Sequence, residues 1–381
     1  MRVLVATTAG AGHFGPMVPF ARACSAAGHQ VRVAAPVALR GAVERAGLQH
    51  VVVGSPSEAE LTSVFATLPQ LSLEESNEVV MCEVFAGLDA RAALPGMSAV
   101  VRDWRPDLIV RETAEFSSYV VAEEENVPHA KVAMGLMAIE EFVCAVIDDA
   151  LAALGSQSGT TGLRTAPVLS LVPECLEDPN SRFVPTVHRF RDSQGNAGSD
   201  LGDWWSDINA PLVYVTFGTV AASMGLFPDL YRAAIAAVAQ LPVRALVTLG
   251  EAGDPEILGP LPANVHVERY WPQQAILPHV SAMVGHGGFG TTITGLAGGV
   301  PMVVVPLFAL DQHYNAAAVT RAGAGISLAG GPAAMGELSF SLERVLADQT
   351  YGAGARTVAA DIARLPDASR CVAVLEEIVG H

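Results

Sequence analysis

Short apolar runs alternate along the chain with alanine-rich stretches whose hydrophobic residues recur at helical spacing. Runs near 3–7, 30–34, 50–53, 107–110 and 129–132 are too short for helices and apolar on both faces. That is the pattern of strands covered on both sides in a parallel sheet. The second half repeats it at 212–216, 244–249, 265–268, 282–285, 301–305 and 325–328. Strand and helix patterns in alternation predict an α/β protein with two doubly wound parallel sheets, each Rossmann-like. The stretch 184–210 breaks the pattern and is rich in Asp, Gly, Ser and Asn, so it reads as a linker or exposed loop. The expected organisation is a first domain over 1–195, a linker over 196–209, a second domain over 210–355 and a closing helical segment over 356–381.

Composition narrows the classes. The 381 residues are 51% hydrophobic and 16% charged, enough for two cores. The net charge is −17 and Lys131 is the only lysine, an acidic surface that disfavours nucleic acid and anionic membranes as partners. Met1-Arg2-Val3-Leu4-Val5 runs straight into the first strand, without the pattern of a signal peptide, and no apolar run reaches membrane-spanning length. A cytoplasmic location is the expectation. Cys24, Cys82, Cys144, Cys175 and Cys371 are scattered and odd in number, which suits small core residues better than a disulfide framework or a zinc site.

Two strand-to-helix turns concentrate the residues able to do chemistry. The apolar run 282–285 leads into His286-Gly287-Gly288-Phe289-Gly290-Thr291-Thr292, which opens a helix. Free N–H groups and the positive end of a helix dipole suit an anion. Glycines admit close approach, Thr291 and Thr292 add hydroxyls, and His286 adds a ring N–H. A tight strand-to-helix junction has the same glycines, so the turn alone leaves both readings open. Its neighbours favour a ligand. Tyr270 and Trp271, before Pro272 and Gln273, offer an aromatic platform at a strand end. The run 301–305 delivers Asp311 and Gln312 beyond its carboxyl end, acceptors and donors suited to sugar hydroxyls, although Asp311 serves as readily as a helix cap.

At the amino terminus, Gly10-Ala11-Gly12-His13-Phe14-Gly15 follows the first strand and spells the dinucleotide fingerprint. That fingerprint needs an acidic residue after the next strand, and the chain has Ala35-Pro36 there, so a nicotinamide or flavin site is disfavoured.

Tyr270-Trp271-Pro272-Gln273-x-x-Ile276-Leu277-Pro278-His279, the turn His286 to Thr292, Gly299-Val300-Pro301-Met302 and Asp311-Gln312-x-x-Asn315-Ala316 stand in the order and spacing of a known signature. It is the donor-binding signature of family-1 glycosyltransferases, and the chain resembles their bacterial branch that decorates antibiotics and other natural products. The resemblance implies the GT-B architecture, two Rossmann-like domains facing across a cleft, with the last helix (369–379) crossing back to the first domain. It implies a donor site of Gly218, Thr219, Tyr270, Trp271, Gln273, His286, Gly287, Gly288, Gly290, Thr291, Thr292, Asp311 and Gln312.

A lone loop histidine is as readily structural, and it is the resemblance that makes His13 the general base. Its orienting partner is then Glu112, where related enzymes usually carry Asp, with Glu115 as a nearby substitute. The implied reaction is inverting transfer of a sugar or deoxysugar from a dTDP- or UDP-activated donor to a hydroxyl of an apolar natural-product aglycone. No metal and no bound cofactor are expected, and a homodimer is left open. The acceptor side draws on Phe14, Phe65, Met81, Phe85, Met134, Met137 and Phe142, residues that core packing explains equally well. A nucleotide-sugar epimerase and a non-catalytic nucleotide-sugar-binding auxiliary protein are the alternatives.

Overall fold

The computed structural model describes residues 1–181, 183, 185–193 and 209–380. Two compact units emerge. The first comprises Met1–Val172, Asp178–Ser193 and the chain from Leu365 onward; the second comprises Pro173–Glu177 and Gln194–Arg364.

The first unit is built on a seven-stranded sheet of β1 (Arg2–Ala6), β2 (Gln30–Pro36), β3 (Gln49–Val53), β4 (Leu108–Glu112), β5 (His129–Val132), β6 (Val168–Ser170) and β7 (Val187–Arg189). Its order is β3-β2-β1-β4-β5-β6-β7 with every pair parallel, Val3 opposite Val31 on one side and Leu108 on the other. Val3, Leu4, Leu108 and Ile109 are wholly buried, the outcome of placing apolar β1 and β4 at the centre. The second sheet joins β8 (Leu212–Thr216), β9 (Arg244–Thr248), β10 (Val265–Glu268), β11 (Ala282–Gly285), β12 (Met302–Val304) and β13 (Gly325–Ser327) in the order β10-β9-β8-β11-β12-β13, again all parallel.

Eleven of these thirteen strands correspond to apolar runs read from the sequence. The two that do not, β6 and β7, are three residues each, and β7 lies inside the stretch taken for a linker. Residues 194–208, with most of the 196–209 linker, fall outside the described residues.

Both sheets reverse their winding between two central strands, β1 and β4 in one and β8 and β11 in the other. At such a reversal the helices leave to opposite faces, and the carboxyl ends of the two strands open a crevice where ligands of this fold class bind. His13 follows β1 and Glu112 ends β4; Gly218 follows β8 and His286 follows β11.

One helix corrects the expectation that no segment is long and apolar enough to cross a membrane. Leu73–Trp104 has that length and composition. Its later part lies in the core: Ala86, Ala90, Ala93, Met97, Val100, Val101 and Trp104 are buried, packing in the first unit's clusters beside Leu4, Ile109 and Phe116. A π-helical stretch, Val80–Asp89, interrupts it.

The closing segment divides at Leu365. Helix Gln349–Arg364 packs against helix Phe289–Ala297 in the second unit. From Leu365 the chain joins the first unit, where Cys371 and Leu375 are fully buried and Glu376 Oε1 lies 3.2 Å from His29 Nε2.

Candidate active site

In the first unit, Gly10 with φ 112° starts a single helical turn, Ala11–Phe14, a conformation that strains any residue carrying a Cβ. The turn projects His13, whose side chain is 28% exposed, toward the wholly buried Glu112; Nδ1 and Oε1 are 3.2 Å apart. Glu112 is fixed by three further contacts. Oε1 accepts from Thr8 N at 3.2 Å and Thr8 Oγ1 at 2.9 Å, and Oε2 from Ala114 N at 2.6 Å. Burial opposes its ionisation, but His13 and the donors of Ala114 and Thr8 outweigh it and hold the carboxyl below its ordinary range. With Nδ1 facing a carboxylate, Nε2 is the basic nitrogen of the ring.

Glu115 is buried and otherwise occupied. It accepts from the hydroxyls of Ser117 and Ser118, and from Ser118 N at 3.1 Å. Burial pushes its carboxyl up despite those bonds. The structure thus pairs His13 with Glu112 and gives Glu115 to the start of the helix Ser117–Glu125.

A third acid was invisible in the sequence. Asp89 closes the π-helical stretch, is partly buried, and feels the charges of His13, Glu112 and Glu115; burial first of all raises its carboxyl to about 6. One turn earlier, the ring of Phe85 sits 5.2 Å from that of His13. Among the other acceptor candidates, Phe14 is buried, and Met137 is buried and packs with Ala133 and Val168. Met81, Met134 and Phe142 are partly buried and Phe65 is exposed at the end of helix Glu58–Phe65. A groove of about 560 Å³ beside Arg105, Asp107 and Pro128 lies at the amino ends of β4 and β5, away from His13 and Glu112.

In the second unit the glycine turn is shaped by what a Cβ would strike. At Gly287, with φ 85°, it would lie 2.6 Å from the carbonyl oxygen of Gln312; at Gly218, with φ 77°, 2.7 Å from Cε1 of His286. At Gly288 it would also strike the His286 ring, which therefore lies between two glycines. Burial lowers the His286 imidazolium to about 4, so at neutral pH the ring is uncharged and offers one N–H. Gly288 is the N-cap of helix Phe289–Ala297 and no side chain caps it, leaving its first N–H groups for a ligand. A Cβ at Gly290 would meet open space.

Some donor residues serve the turn itself. Gln312 is buried and its Oε1 accepts from Leu307 N at 2.8 Å and Phe308 N at 3.2 Å, so its carboxamide oxygen clamps a loop. Thr292, also buried, donates its hydroxyl to Gly288 O at 3.0 Å. Thr291 accepts from Gln273 Nε2 at 3.3 Å, joining the Tyr270–Gln273 block to the turn. Asn315, not among the expected site residues, donates Nδ2 to Gly287 O at 2.7 Å and locks the turn against the next helix. Tyr270 is 71% exposed, Trp271 and Asp311 are partly buried, Gly218 is partly buried and Thr219 exposed.

The comparisons with known proteins agree with this fold. Residues 22–157 match the family described as erythromycin biosynthesis protein CIII-like, N-terminal domain, and 232–378 match its C-terminal domain. L-demethylnoviosyl transferase of Streptomyces niveus is 32% identical over 96% of this chain and 95% of its own. TDP-daunosamine transferase DnrS of Streptomyces peucetius is 30% identical over 100% of this chain and 97% of its own. The crystal structure of the glycosyltransferase SnogD from Streptomyces nogalater superposes with a TM-score of 0.79, covering 100% of this chain and 99% of that one at 29% identity. Two parallel sheets of this order, the signature blocks around His286 and relatives named for sugar transfer converge: the chain belongs to the bacterial natural-product branch of the family-1 glycosyltransferases, enzymes of GT-B fold that transfer a sugar.

Proposed function

We propose that this enzyme moves a sugar, of deoxysugar type, from a dTDP-activated donor to a hydroxyl of an apolar natural-product aglycone, with inversion at the anomeric carbon and with His13 as general base. The observation that carries the reading is the 3.2 Å pairing of His13 Nδ1 with buried Glu112. A buried carboxylate that prefers its charge stabilises the imidazolium formed when Nε2 takes the acceptor's proton. As that proton leaves, the acceptor oxygen bonds to the anomeric carbon and the bond from that carbon to the diphosphate oxygen breaks. The departing charge is met by N–H groups: the uncapped start of helix Phe289–Ala297 and the neutral ring of His286. Thymidine is favoured over uridine by the relative named as a TDP-daunosamine transferase. The acidic surface fits a cytoplasmic catalyst acting on small molecules.

Calorimetric titration with TDP, UDP and GDP, followed by assay of His13→Ala, tests this. TDP should bind in the micromolar range, and His13→Ala should lower turnover by about a thousandfold while TDP affinity stays within about twofold. Full turnover in His13→Ala would remove the base; tighter binding of another diphosphate would replace thymidine.

A further inference from the structure

The chain's only lysine is not on its surface. Lys131, in β5, and Glu140, in helix Met137–Val146, form an ion pair whose side chains are each 2% exposed. Burying two charges costs solvation that their attraction roughly repays, so such a pair contributes little stability over apolar side chains of the same size; what it specifies is geometry. Here the geometry leads to the base. Thr113 follows Glu112 directly, and its hydroxyl donates to Glu140 Oε1 at 2.5 Å while accepting from Met134 N at 3.0 Å. Within three residues, Glu112 faces His13, Thr113 faces the segment 134–146, and Ala114 returns its N–H to Glu112 at 2.6 Å. A shift of that turn toward or away from Glu140 moves Glu112 with it.

We propose that Glu140, held by Lys131 and joined through Thr113 to the turn that carries Glu112, is a positioning residue that sets the acceptor-side segment 134–146 in register with His13. The proposal rests on the reading of His13 as the base. Glu140 and Lys131 touch no reacting atom in it; they act through Thr113. Met134 and Phe142 lie on the braced segment, so the brace governs how an acceptor is presented, while the diphosphate turn belongs to the other unit.

Three variants separate this role from general stability. Thr113→Val removes the hydroxyl at nearly constant shape, Thr113→Ser restores it, and Lys131→Met combined with Glu140→Met removes both charges together, so that neither is left buried alone. Without substrate, hydrogen exchange across 134–146 should speed by about tenfold in Thr113→Val and in the double variant, with β1 unchanged and Thr113→Ser like wild type. With TDP-glucose and umbelliferone as probes, Thr113→Val should lower kcat/KM for umbelliferone by about tenfold, with TDP affinity within about twofold. Should His13→Ala be inactive while Thr113→Val matches wild type in exchange and in kcat/KM, the brace alone is overturned. Should His13→Ala keep full turnover, the base is lost and the positioning role goes with it.

Discussion

At the scale of single residues, two glycines decide where a histidine ring can stand. Gly218 has φ 77°, and a methyl there would sit 2.7 Å from Cε1 of His286. Gly218→Ala combines a backbone penalty of about 1 kcal/mol with displacement of the ring. TDP affinity should fall by about tenfold, read by calorimetry, since a hydrogen bond to a charged phosphate is worth about 1.5 to 3 kcal/mol. Unchanged affinity would show that His286 does not hold the diphosphate. Asp89 and Glu112 respond to pH with opposite signs. The carboxylate of Glu112 contributes stability that is complete at neutral pH and lost as pH falls through its lowered folded value. Asp89, raised from 3.8 to about 6, carries a cost that is complete above about 6 and disappears as pH falls toward 3.8. Asp89→Asn should therefore stabilise the protein at pH 7 by roughly 1 to 2 kcal/mol, allowing for its partial exposure, and give no gain near pH 4. Equal gains at both pH values in denaturant titrations would contradict this. The same scale shows where sequence reading stops. His13 and Glu112 were legible through the family resemblance, since a loop histidine and a strand-end carboxylate do not by themselves announce a pair; the structure sets them 3.2 Å apart. Gln312 and Thr292 have a second duty that the sequence does not show, because a carboxamide or hydroxyl that bonds its own backbone looks, in a sequence, like one that awaits a sugar. Asp89 was missed because a π-helical turn shifts the helical phase by which facing residues are read.

At the scale of elements, apolar period and length found eleven strands and missed two of three residues each, β6 and the edge strand β7. β7 is Val187-His188-Arg189, with neither an apolar run nor an alternation to mark it, and it pairs with β6 only along one side. The helix Leu73–Trp104 shows the converse: a sustained apolar run whose burial comes from neighbours distant in sequence. Its start is set locally. Ser72 Oγ accepts from Glu75 N at 3.3 Å and Glu75 Oε2 accepts from Ser72 N at 2.9 Å, a reciprocal capping box. Ser72→Ala should cost about 1 kcal/mol, measured by denaturant titration, with the loss confined to faster amide exchange over the first turn of this helix. An exchange change reaching Val100 would mean that the cap stabilises more than its own turn.

At the scale of the whole molecule, the expectation of two doubly wound sheets rested on strand count, and the fold realises it with the winding reversed at the equivalent place in each. The segment boundaries were less legible, because where a chain changes allegiance depends on contacts between residues far apart. From Leu365 the chain packs in the first unit, although the preceding helix packs in the second. Leu375 is wholly buried there, so Leu375→Ala should destabilise the first unit by about 2 to 4 kcal/mol in chemical denaturation. A loss below about 0.5 kcal/mol would show that the terminal helix is only laid against that unit.

The solitary lysine has a practical side. With Lys131 sealed beside Glu140, the folded chain offers amine-directed reagents one primary amine besides it, the amino group of Met1, which lies 3.0 Å from His29 Nδ1. Acylation of the side-chain amine can proceed only when the first unit opens, so under conditions where the reagent outpaces reclosing, the mass added at Lys131 counts openings one molecule at a time. The enzyme carries its own clock for the opening of one unit, readable without any engineered label.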